Sequence, residues 1–340
     1  SMYGLWQAII RLPLGIVSDW LGKRKVFIIG GFALSAIGAW VMGSSSHVNG
    51  LLIGRSITGL AAGTWVPLIV AFSSLFPAEE AVRATSILTL VNSIGRMLAT
   101  GVTGSLNDIG GYPLAFFLAA GTAGLAILAV LPVNEVRREP KKPTLSSLTK
   151  LITRNDVLVP SLLDMVAQYC AWAGTFSFIP ILAERLGASD VLLSVLLSMN
   201  IAIVALGNIL ATSLLKRINE RTLIFASFLL NGGALVIAAL ATSLPLIFVA
   251  QVFMGISAGI SYPVLMGLSI KYVDEGERTT AMGLHQAIYG IGMFAGPWLS
   301  GILADWMGIQ PMFGVTAFFV LVIGIFGTLR LNTNHSQTAL

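Results

Sequence analysis

Long apolar runs separated by short polar turns dominate the hydrophobicity pattern of this chain. A run of about 20 apolar residues is long enough for a helix to cross a bilayer and too long for an ordinary strand. Lipid-exposed backbone must also satisfy its hydrogen bonds within the segment, which favours helices. The pattern therefore predicts an all-α membrane protein with eleven transmembrane helices, over residues 1–20, 25–43, 50–72, 83–106, 113–132, 157–181, 190–214, 222–242, 246–270, 279–303 and 312–330.

One polar segment interrupts this pattern between the fifth and the sixth run. Residues 134–156 are basic and contain prolines, which is typical of a linker. We therefore predict an N-terminal helical bundle over residues 1–133, a cytoplasmic linker over 134–156, a six-helix C-terminal bundle over 157–331 and a cytoplasmic tail over 332–340.

The composition supports a membrane protein and argues against a soluble enzyme. Of the 340 residues, 56% are hydrophobic and only 10% are charged, whereas soluble proteins carry about 25% charged residues. The single cysteine excludes an internal disulfide, and the three histidines lie far apart in sequence. We recognise no metal-ligand cluster, no nucleophile–base pair and no phosphate-binding loop, so we expect no enzymatic activity, no metal and no cofactor.

Lysine and arginine are distributed unevenly between the two sets of connecting loops. One set, together with the linker and the C-terminal end, holds sixteen of the twenty cations, whereas the opposite loops hold only Arg185. Cytoplasmic loops of membrane proteins are enriched in these residues. We therefore expect a multi-pass protein of the plasma (inner) membrane, with the linker and the C-terminus in the cytoplasm. This orientation accounts for the net charge of +5 without nucleic-acid binding.

The two halves of the chain resemble each other in sequence. Residues 59–67, GLAAGTWVP, match residues 255–263, GISAGISYP, at an offset of 196, and the loops that follow match at 195. Because both copies would face the same way in the membrane, the pattern predicts a parallel repeat. Such repeats are typical of transporters with a site between the halves near the bilayer midplane.

The repeat leaves one predicted helix without a counterpart. Residue 1 aligns near residue 193, so the run at 157–181 has no partner in the first half. We therefore expect one further helix before Ser1, which would complete an arrangement of six plus six. A natural protein with eleven helices is the alternative.

Two motifs resemble those of the major facilitator superfamily of secondary transporters. The first reads GIVSDWLGKRK, departs from the family at Trp20, and has as its signature residues Gly15, Asp19, Gly22, Lys23 and Arg24. The second reads RSITGLAAG and begins at Arg55. A glycine–proline element typical of exporters is absent from the first half, but a similar run, GMFAGPWLSG, occupies residues 292–301. The resemblance implies the major facilitator fold, two parallel-repeat bundles, over essentially the whole chain.

The resemblance also implies a conformational role for the first motif. Asp19 is expected at the cytoplasmic end of its helix, where it could pair with Lys23, with Arg24 or with the positive N-terminus of another helix. By resemblance, this pairing holds one conformation and breaks in the other. Alternatively, the cations only form a positive-inside turn.

Four ionisable residues are predicted inside transmembrane helices, namely Arg11, Arg55, Arg96 and Asp164. Each costs about 3 kcal/mol on insertion scales, and such residues usually face the protein interior or a cavity. The arginines either act in solute or proton movement or make structural pairs, and an anionic solute would neutralise them. Burial of Asp164 would favour its protonated form and suit it to carrying a proton; a wet position near the interface is the alternative.

Further polar side chains complete the candidate pathway for solute or protons. His285 can titrate near neutral pH and forms a predicted cluster with Gln286 and Tyr289. A lone histidine among apolar helices can equally be a hydrogen-bonded structural residue. The remaining candidates are Gln168, Asn200 and Gln251.

These observations together predict a secondary active transporter that moves a small organic solute by alternating access, coupled to protons, with efflux as one direction. An organic-anion uptake or exchange transporter is the alternative within this class. A non-transporting or inactive truncated membrane protein is the alternative outside it. We expect a monomer whose partners are the solute, protons and the lipid bilayer.

Overall fold

The structure is a computed structural model of the chain, and it describes residues 2–21, 23–73, 81–134, 152–214, 217–273 and 278–331. Nearly all of these residues are helical. The contacts between helices divide the chain into two compact units. The first consists of Ser1–Thr144 with Ser189–Ser198, and the second of Leu145–Ala188 with Met199–Leu340.

The first unit contains helices α1 (Met2–Leu21), α2 (Lys25–Gly43), α3 (Val48–Ala62), α4 (Trp65–Ser73) and α5 (Ala81–Val130). Helix α3 packs against α1 and α2, and α2 also packs against α5. Gly38 and Gly54 let α2 and α3 approach closely, because a Cβ on Gly38 would lie 2.8 Å from the Gly54 carbonyl oxygen. Helix α5 is bent at Gly111, whose φ of 69° lies in the left-handed region that favours glycine.

The second unit contains helices α6 (Asn155–Ala173), α7 (Ile179–Arg185), α8 (Asp190–Leu214), α9 (Glu220–Ala239), α10 (Leu244–Lys271), α11 (Arg278–Met307) and α12 (Ile309–Leu329), of which α8 begins in the first unit. A single π-helical turn, Gly174–Phe178, joins α6 to α7. Helix α6 packs against α11 and α10, and α9 packs against α10 and α12.

Two ion pairs lie where helices of the second unit begin and end. Arg154 contacts Asp156 at 2.6 Å and also donates to the carbonyl oxygen of Tyr272, which ties the start of α6 to the end of α10. Lys271 Nζ lies 2.7 Å from a carboxylate oxygen of Glu220 and ties the end of α10 to the start of α9. The hydrogen bond to Glu220 raises the pKa of Lys271.

The structure confirms the all-helical fold class. Each of the eleven predicted runs is covered by helical structure. The run at 50–72 is divided between α3 and α4, and the run at 157–181 between α6, the π-helical turn and α7. The runs at 83–106 and 113–132 form the two arms of the bent α5. Within the described ranges, nine helices are long and apolar enough to cross a membrane. The exact count of eleven transmembrane helices stays a prediction. So do the boundaries of the N-terminal bundle, the linker, the C-terminal bundle and the tail.

The surface of the described helices is rich in large apolar side chains. Trp306 is 80% exposed, and Ile109 and Leu240 are exposed to a similar extent. In water such extended apolar surfaces promote association, whereas in a bilayer they face lipid at no cost. The surface therefore agrees with a protein that is embedded in a membrane.

Candidate functional site

A close approach of α6 and α11 creates the centre of the second unit. The approach depends on the glycines of the 292–301 element, because a Cβ on Gly292 would overlap the carbonyl oxygen of Met165. One turn along, a Cβ on Gly296 would lie 2.6 Å from the carbonyl oxygen of Tyr169. Small residues of this kind allow two membrane helices to touch along their backbones. Polar side chains on the facing surfaces are consequently brought together.

The approach brings together two candidate residues that are far apart in sequence. Asp164 on α6 and His285 on α11 are both fully buried, and Asp164 Oδ2 lies 3.1 Å from His285 Nε2. The contact has ion-pair distance without the alignment of a linear hydrogen bond. Gln168 donates from Nε2 to Asp164 Oδ1 at 3.3 Å. Asp164 therefore lies in the protein interior. Of the two positions considered from the sequence, buried or wet near the interface, the structure has the buried one.

Asp164 and His285 both lie well inside their helices, away from the helix ends. Asp164 lies nine residues after the start of α6, or ~13 Å at 1.5 Å per residue, and His285 lies seven residues after the start of α11, or ~10 Å. Val157, Ala281 and Leu284 are buried between the pair and these helix ends, in an apolar cluster that also contains Val273. We call this cluster the apolar plug.

A second polar cluster lies beside the π-helical turn. Asn200 on α8 donates from Nδ2 to both the carbonyl oxygen and Oε1 of Gln251, at 2.9 Å each. Thr175, within the turn, donates to the same Oε1 at 3.2 Å. Gln251 is fully buried, and its Nε2 has no hydrogen-bond partner among the described residues. The structure thus joins two candidates, Asn200 and Gln251, in a network separate from Asp164.

The other two candidates of α11 are not part of the Asp164 contact. Gln286 is buried, and its Oε1 has no hydrogen-bond partner in the part of the chain that the structure describes. The ring of Tyr289 lies 6.0 Å from that of Tyr262 on α10, a distance typical of aromatic packing.

The candidates of the first unit differ in burial. Arg11 and Gln7 are one turn apart on α1, and both are buried. Arg96 is exposed on α5. Arg55 is also exposed, and its guanidinium carbon lies 4.4 Å from the centre of the Tyr3 ring. This cation–π contact links α3 to α1.

Part of the first motif lies outside the described residues. Gly15 and Asp19 belong to α1, but Gly22 and the side chain of Asp19 are not among the parts of the chain that the structure describes. Lys23 is exposed and Arg24 is half-buried in the turn before α2.

Comparisons with known proteins decide the family. The family model described as Major Facilitator Superfamily matches residues 1–166 and 165–339, which together span nearly the whole chain. The chain belongs to the Major Facilitator Superfamily. Members of this superfamily are membrane transporters and not enzymes, so the chain is a multi-pass membrane protein of a transporter family.

Among the proteins that match most of the chain, two relatives and one solved structure are 17–22% identical to it. The chain is 22% identical to an uncharacterized MFS-type transporter of Methanocaldococcus jannaschii over 97% of this chain and 87% of the relative. It is 21% identical to the quinolone resistance protein NorA of Staphylococcus aureus over 90% of this chain and 79% of NorA. The crystal structure of a bacterial homolog to the human lysosomal transporter Spinster, inward-facing and unoccupied, is similar with a TM-score of 0.80, at 17% identity over 97% of this chain and 87% of that chain.

Sequence reasoning missed several polar residues that the superfamily fold places at this site. Ser161 contacts His285, Thr175 contacts Gln251, and Ser300 lies 2.8 Å from the Tyr169 hydroxyl. A signal for two of them was present, because Ser161, Asp164, Gln168 and Thr175 are separated by three, four and seven residues and would share one face of a helix. Serine and threonine are common in membrane helices, so this signal is weak alone.

The Arg55 contact yields a prediction that separates a structural role from a role in transport. Replacing Arg55 by glutamine is expected to lower the free energy of unfolding by about 0.5–1 kcal/mol, since it removes a cation–π contact at an exposed position. Tyr3→Leu should have a similar effect, and the double variant should be no worse than either single one. Thermal unfolding of the detergent-solubilised variants measures this coupling. Additive losses, or a loss of transport without a loss of stability, would contradict a structural role.

Proposed function

We propose that this superfamily member is a proton-coupled secondary transporter of a small organic solute, in which Asp164 and His285 carry the proton during alternating access. The observation that carries the proposal is the contact between these two fully buried titratable side chains at 3.1 Å. Carboxylate and imidazole side chains can each bind and release a proton, which is the chemistry that proton coupling requires.

The energetic cost of the pair supports a functional role. A buried ion pair is often no more stabilising than well-packed apolar residues of the same volume, because its desolvation offsets its attraction. An ionisable group within the membrane is therefore expected to mark a functional site. The corresponding run of the first half, residues 83–106, contains no histidine, so the shared scaffold does not require one here.

Direct transport measurement tests the proposal. The full-length protein would be reconstituted into liposomes carrying an entrapped pH-sensitive dye, and a panel of labelled or fluorescent organic compounds, including a quinolone, would be presented with and without an imposed pH gradient. We expect at least one compound to accumulate against its own gradient when the pH gradient is present, and a matching proton flux. Absence of any pH-dependent movement across the panel would overturn the proposal.

Efflux is the direction that we propose first. It is supported by the similarity to NorA, which is described as a quinolone resistance protein. It is supported also by the exporter-like element at 292–301, which lies at the α6–α11 contact. The protein can insert into liposomes with its cytoplasmic side facing either outward or inward. Accumulation of the quinolone in liposomes where the cytoplasmic side faces outward would support efflux. Accumulation only where the cytoplasmic side faces inward would contradict it.

Organic-anion uptake or exchange is the second candidate, favoured by the buried Arg11. A buried guanidinium can hold a carboxylate or phosphate of a solute through paired hydrogen bonds. Replacing Arg11 and Arg96 by glutamine, singly and together, is expected to reduce transport of anionic solutes to background and to leave neutral or cationic solutes largely unaffected. Uptake of labelled anionic and cationic compounds into proteoliposomes measures the difference. Equal loss for both classes would contradict anion specificity.

We propose a plasma-membrane location with the linker and C-terminus in the cytoplasm, based on the distribution of lysine and arginine. We propose also that the protein works as a monomer, and that Asp19 pairs with Lys23 or Arg24 in one conformation and separates from them in the other.

A further inference from the structure

Ser161 contacts two groups at once in the interior of the second unit. It is fully buried, and its Oγ lies 2.6 Å from the carbonyl oxygen of Val157 and 3.1 Å from Nδ1 of His285. Two oxygens at such a short distance repel each other unless a proton lies between them, and a carbonyl oxygen can only accept. The single hydroxyl hydrogen of Ser161 therefore points at Val157.

This assignment decides which ring nitrogen of His285 carries a hydrogen. Since the hydrogen of Ser161 is used at Val157, its Oγ can only accept from His285, and Nδ1 must be the donor. A neutral imidazole has only one N–H group, so its Nε2 then presents a lone pair to Asp164. The Nδ1–H form is the less common neutral tautomer in water, and the serine provides the reason for it here.

We propose that Ser161 is a positioning residue that holds hydrogen on Nδ1 of His285, so that the Asp164–His285 pair takes up and releases one proton only between Nε2 and Oδ2. The inference rests on the proposed proton-coupled function and adds a residue to it. Ser161 itself does not carry the exchanged proton, because its hydrogen remains on Oγ and is donated to the carbonyl oxygen of Val157.

The proton balance of the pair follows from this arrangement. With the exchangeable proton bound, the pair is neutral overall, either as a carboxylic acid facing the Nε2 lone pair or as a carboxylate facing Nε2–H. Release of that proton to water leaves a carboxylate beside a neutral imidazole, which is one uncompensated negative charge. An uncompensated charge is costly in apolar surroundings, so release requires water to reach the pair.

Other ionisable residues occur on α11 and on the helices that pack against it. Those on the neighbouring helices and on α11 itself are Asp156, Tyr169 and Cys170 on α6, Tyr262 and Lys271 on α10, and Arg278, Tyr289 and Asp305 on α11, whereas α12 has none. Asp156 and Lys271 form ion pairs of their own, and the Tyr169 hydroxyl contacts Ser300. Asp164 is therefore the carboxylate that faces the ring.

Removal of the serine hydroxyl has a directional effect on proton binding. Without it, the Nδ1–H of the protonated pair has no acceptor, and hydrogen bonds to charged groups are stronger than those to neutral groups. The deprotonated pair is stabilised, because the ring is then free to adopt the Nε2–H tautomer and donate to the Asp164 carboxylate. Ser161→Ala is therefore expected to move the midpoint of proton binding to lower pH by about one pH unit, a tenfold change in the binding constant.

Nitrogen-15 NMR of histidine-labelled protein tests the inference without knowledge of the solute. The chain contains three histidines, so subtraction of the His285→Gln spectrum assigns the signals of His285 in the full-length protein in liposomes. A pH titration of the wild type would follow Nδ1 and Nε2 separately, and Ser161→Ala would be titrated in parallel. Ser227→Ala is the matched control, because Ser227 is also buried in a helix and donates to the carbonyl four residues earlier.

The outcomes separate a positioning role from a purely structural one. We expect neutral His285 in the wild type to carry hydrogen on Nδ1, the Ser161→Ala protein to switch it to Nε2 with a lower midpoint, and Ser227→Ala to leave both unchanged. Ser161→Thr, which keeps the hydroxyl, should restore the Nδ1–H form. An Nε2–H tautomer in the wild type would overturn the inference even if no variant folds.

Failure of the inference can be distinguished from failure of the proposed function. If the tautomer behaves as expected but no solute moves with protons, the positioning role of Ser161 holds and the proposed transport function fails. If transport is proton-coupled but neutral His285 carries hydrogen on Nε2, the function holds and the role of Ser161 fails.

Discussion

Replacing Asp164 by asparagine is expected to abolish proton-driven solute movement while the protein remains folded. Asparagine has nearly the same shape, and its amide oxygen can still accept from Gln168 while its NH2 group stays beside Nε2 of His285, so the local packing survives. It cannot bind a proton, however, and the pair loses its only carboxylate. Proteoliposomes with an entrapped pH dye and a transported solute would show gradient-driven accumulation reduced to the level of protein-free vesicles.

The decisive control for Asp164 is a second acid on the partner helix. Asp305 lies near the far end of α11 and is exposed, so Asp305→Asn should retain gradient-driven accumulation. Exchange of solute between the two sides without a pH gradient should persist in Asp164→Asn, because exchange requires no net proton movement. Full proton coupling in Asp164→Asn would show that another group carries the proton.

Replacing Gly292 by alanine is expected to be the most damaging single-methyl change in the second unit. The added Cβ would overlap the carbonyl oxygen of Met165, and a backbone atom cannot rotate away as a flexible side chain can. Overpacking of a close contact typically costs about 1–3 kcal/mol, and this position should reach the upper part of that range. Thermal unfolding in detergent measures the loss, and the NMR signals of His285 should shift because α6 and α11 separate.

A glycine without close neighbours provides the comparison for Gly292. Gly267 on α10 is exposed, and a Cβ there would meet nothing within 4 Å. Since alanine is the better helix former by about 1 kcal/mol, Gly267→Ala should be neutral or slightly stabilising. A Gly292→Ala protein as stable as Gly267→Ala, with unshifted His285 signals, would show that the two helices tolerate a wider separation.

The helices could be predicted from sequence because the membrane imposes a simple requirement on them. Long apolar runs must be helical in lipid, and every predicted run is covered by a helix. The breaks within runs were harder to anticipate. The division between α3 and α4 and the π-helical turn at 174–178 fall inside continuous apolar sequence, where periodicity carries no signal for a local change of helix type.

Only part of the candidate site could be read from the sequence. The contact of Asp164 with Gln168 follows from four-residue spacing on one helix, and both residues were candidates. The contact with His285 depends on how α6 crosses α11, which the glycines at 292 and 296 decide through close packing and not through any local preference. For the same reason the choice between a buried and a wet Asp164 could not be made without the packed structure.

The apolar plug at Val157, Val273, Ala281 and Leu284 has a consequence for energy conversion across the membrane. A protonatable pair open to water at both ends would let protons flow down their gradient without cargo and dissipate the stored electrochemical potential. If the pair carries protons as proposed, the buried aliphatic side chains at one end of α6 and α11 would oppose such a leak while that end is closed. A fixed ratio of protons to solute molecules would then depend on the aliphatic side chains of the apolar plug as much as on the charged residues that they shield.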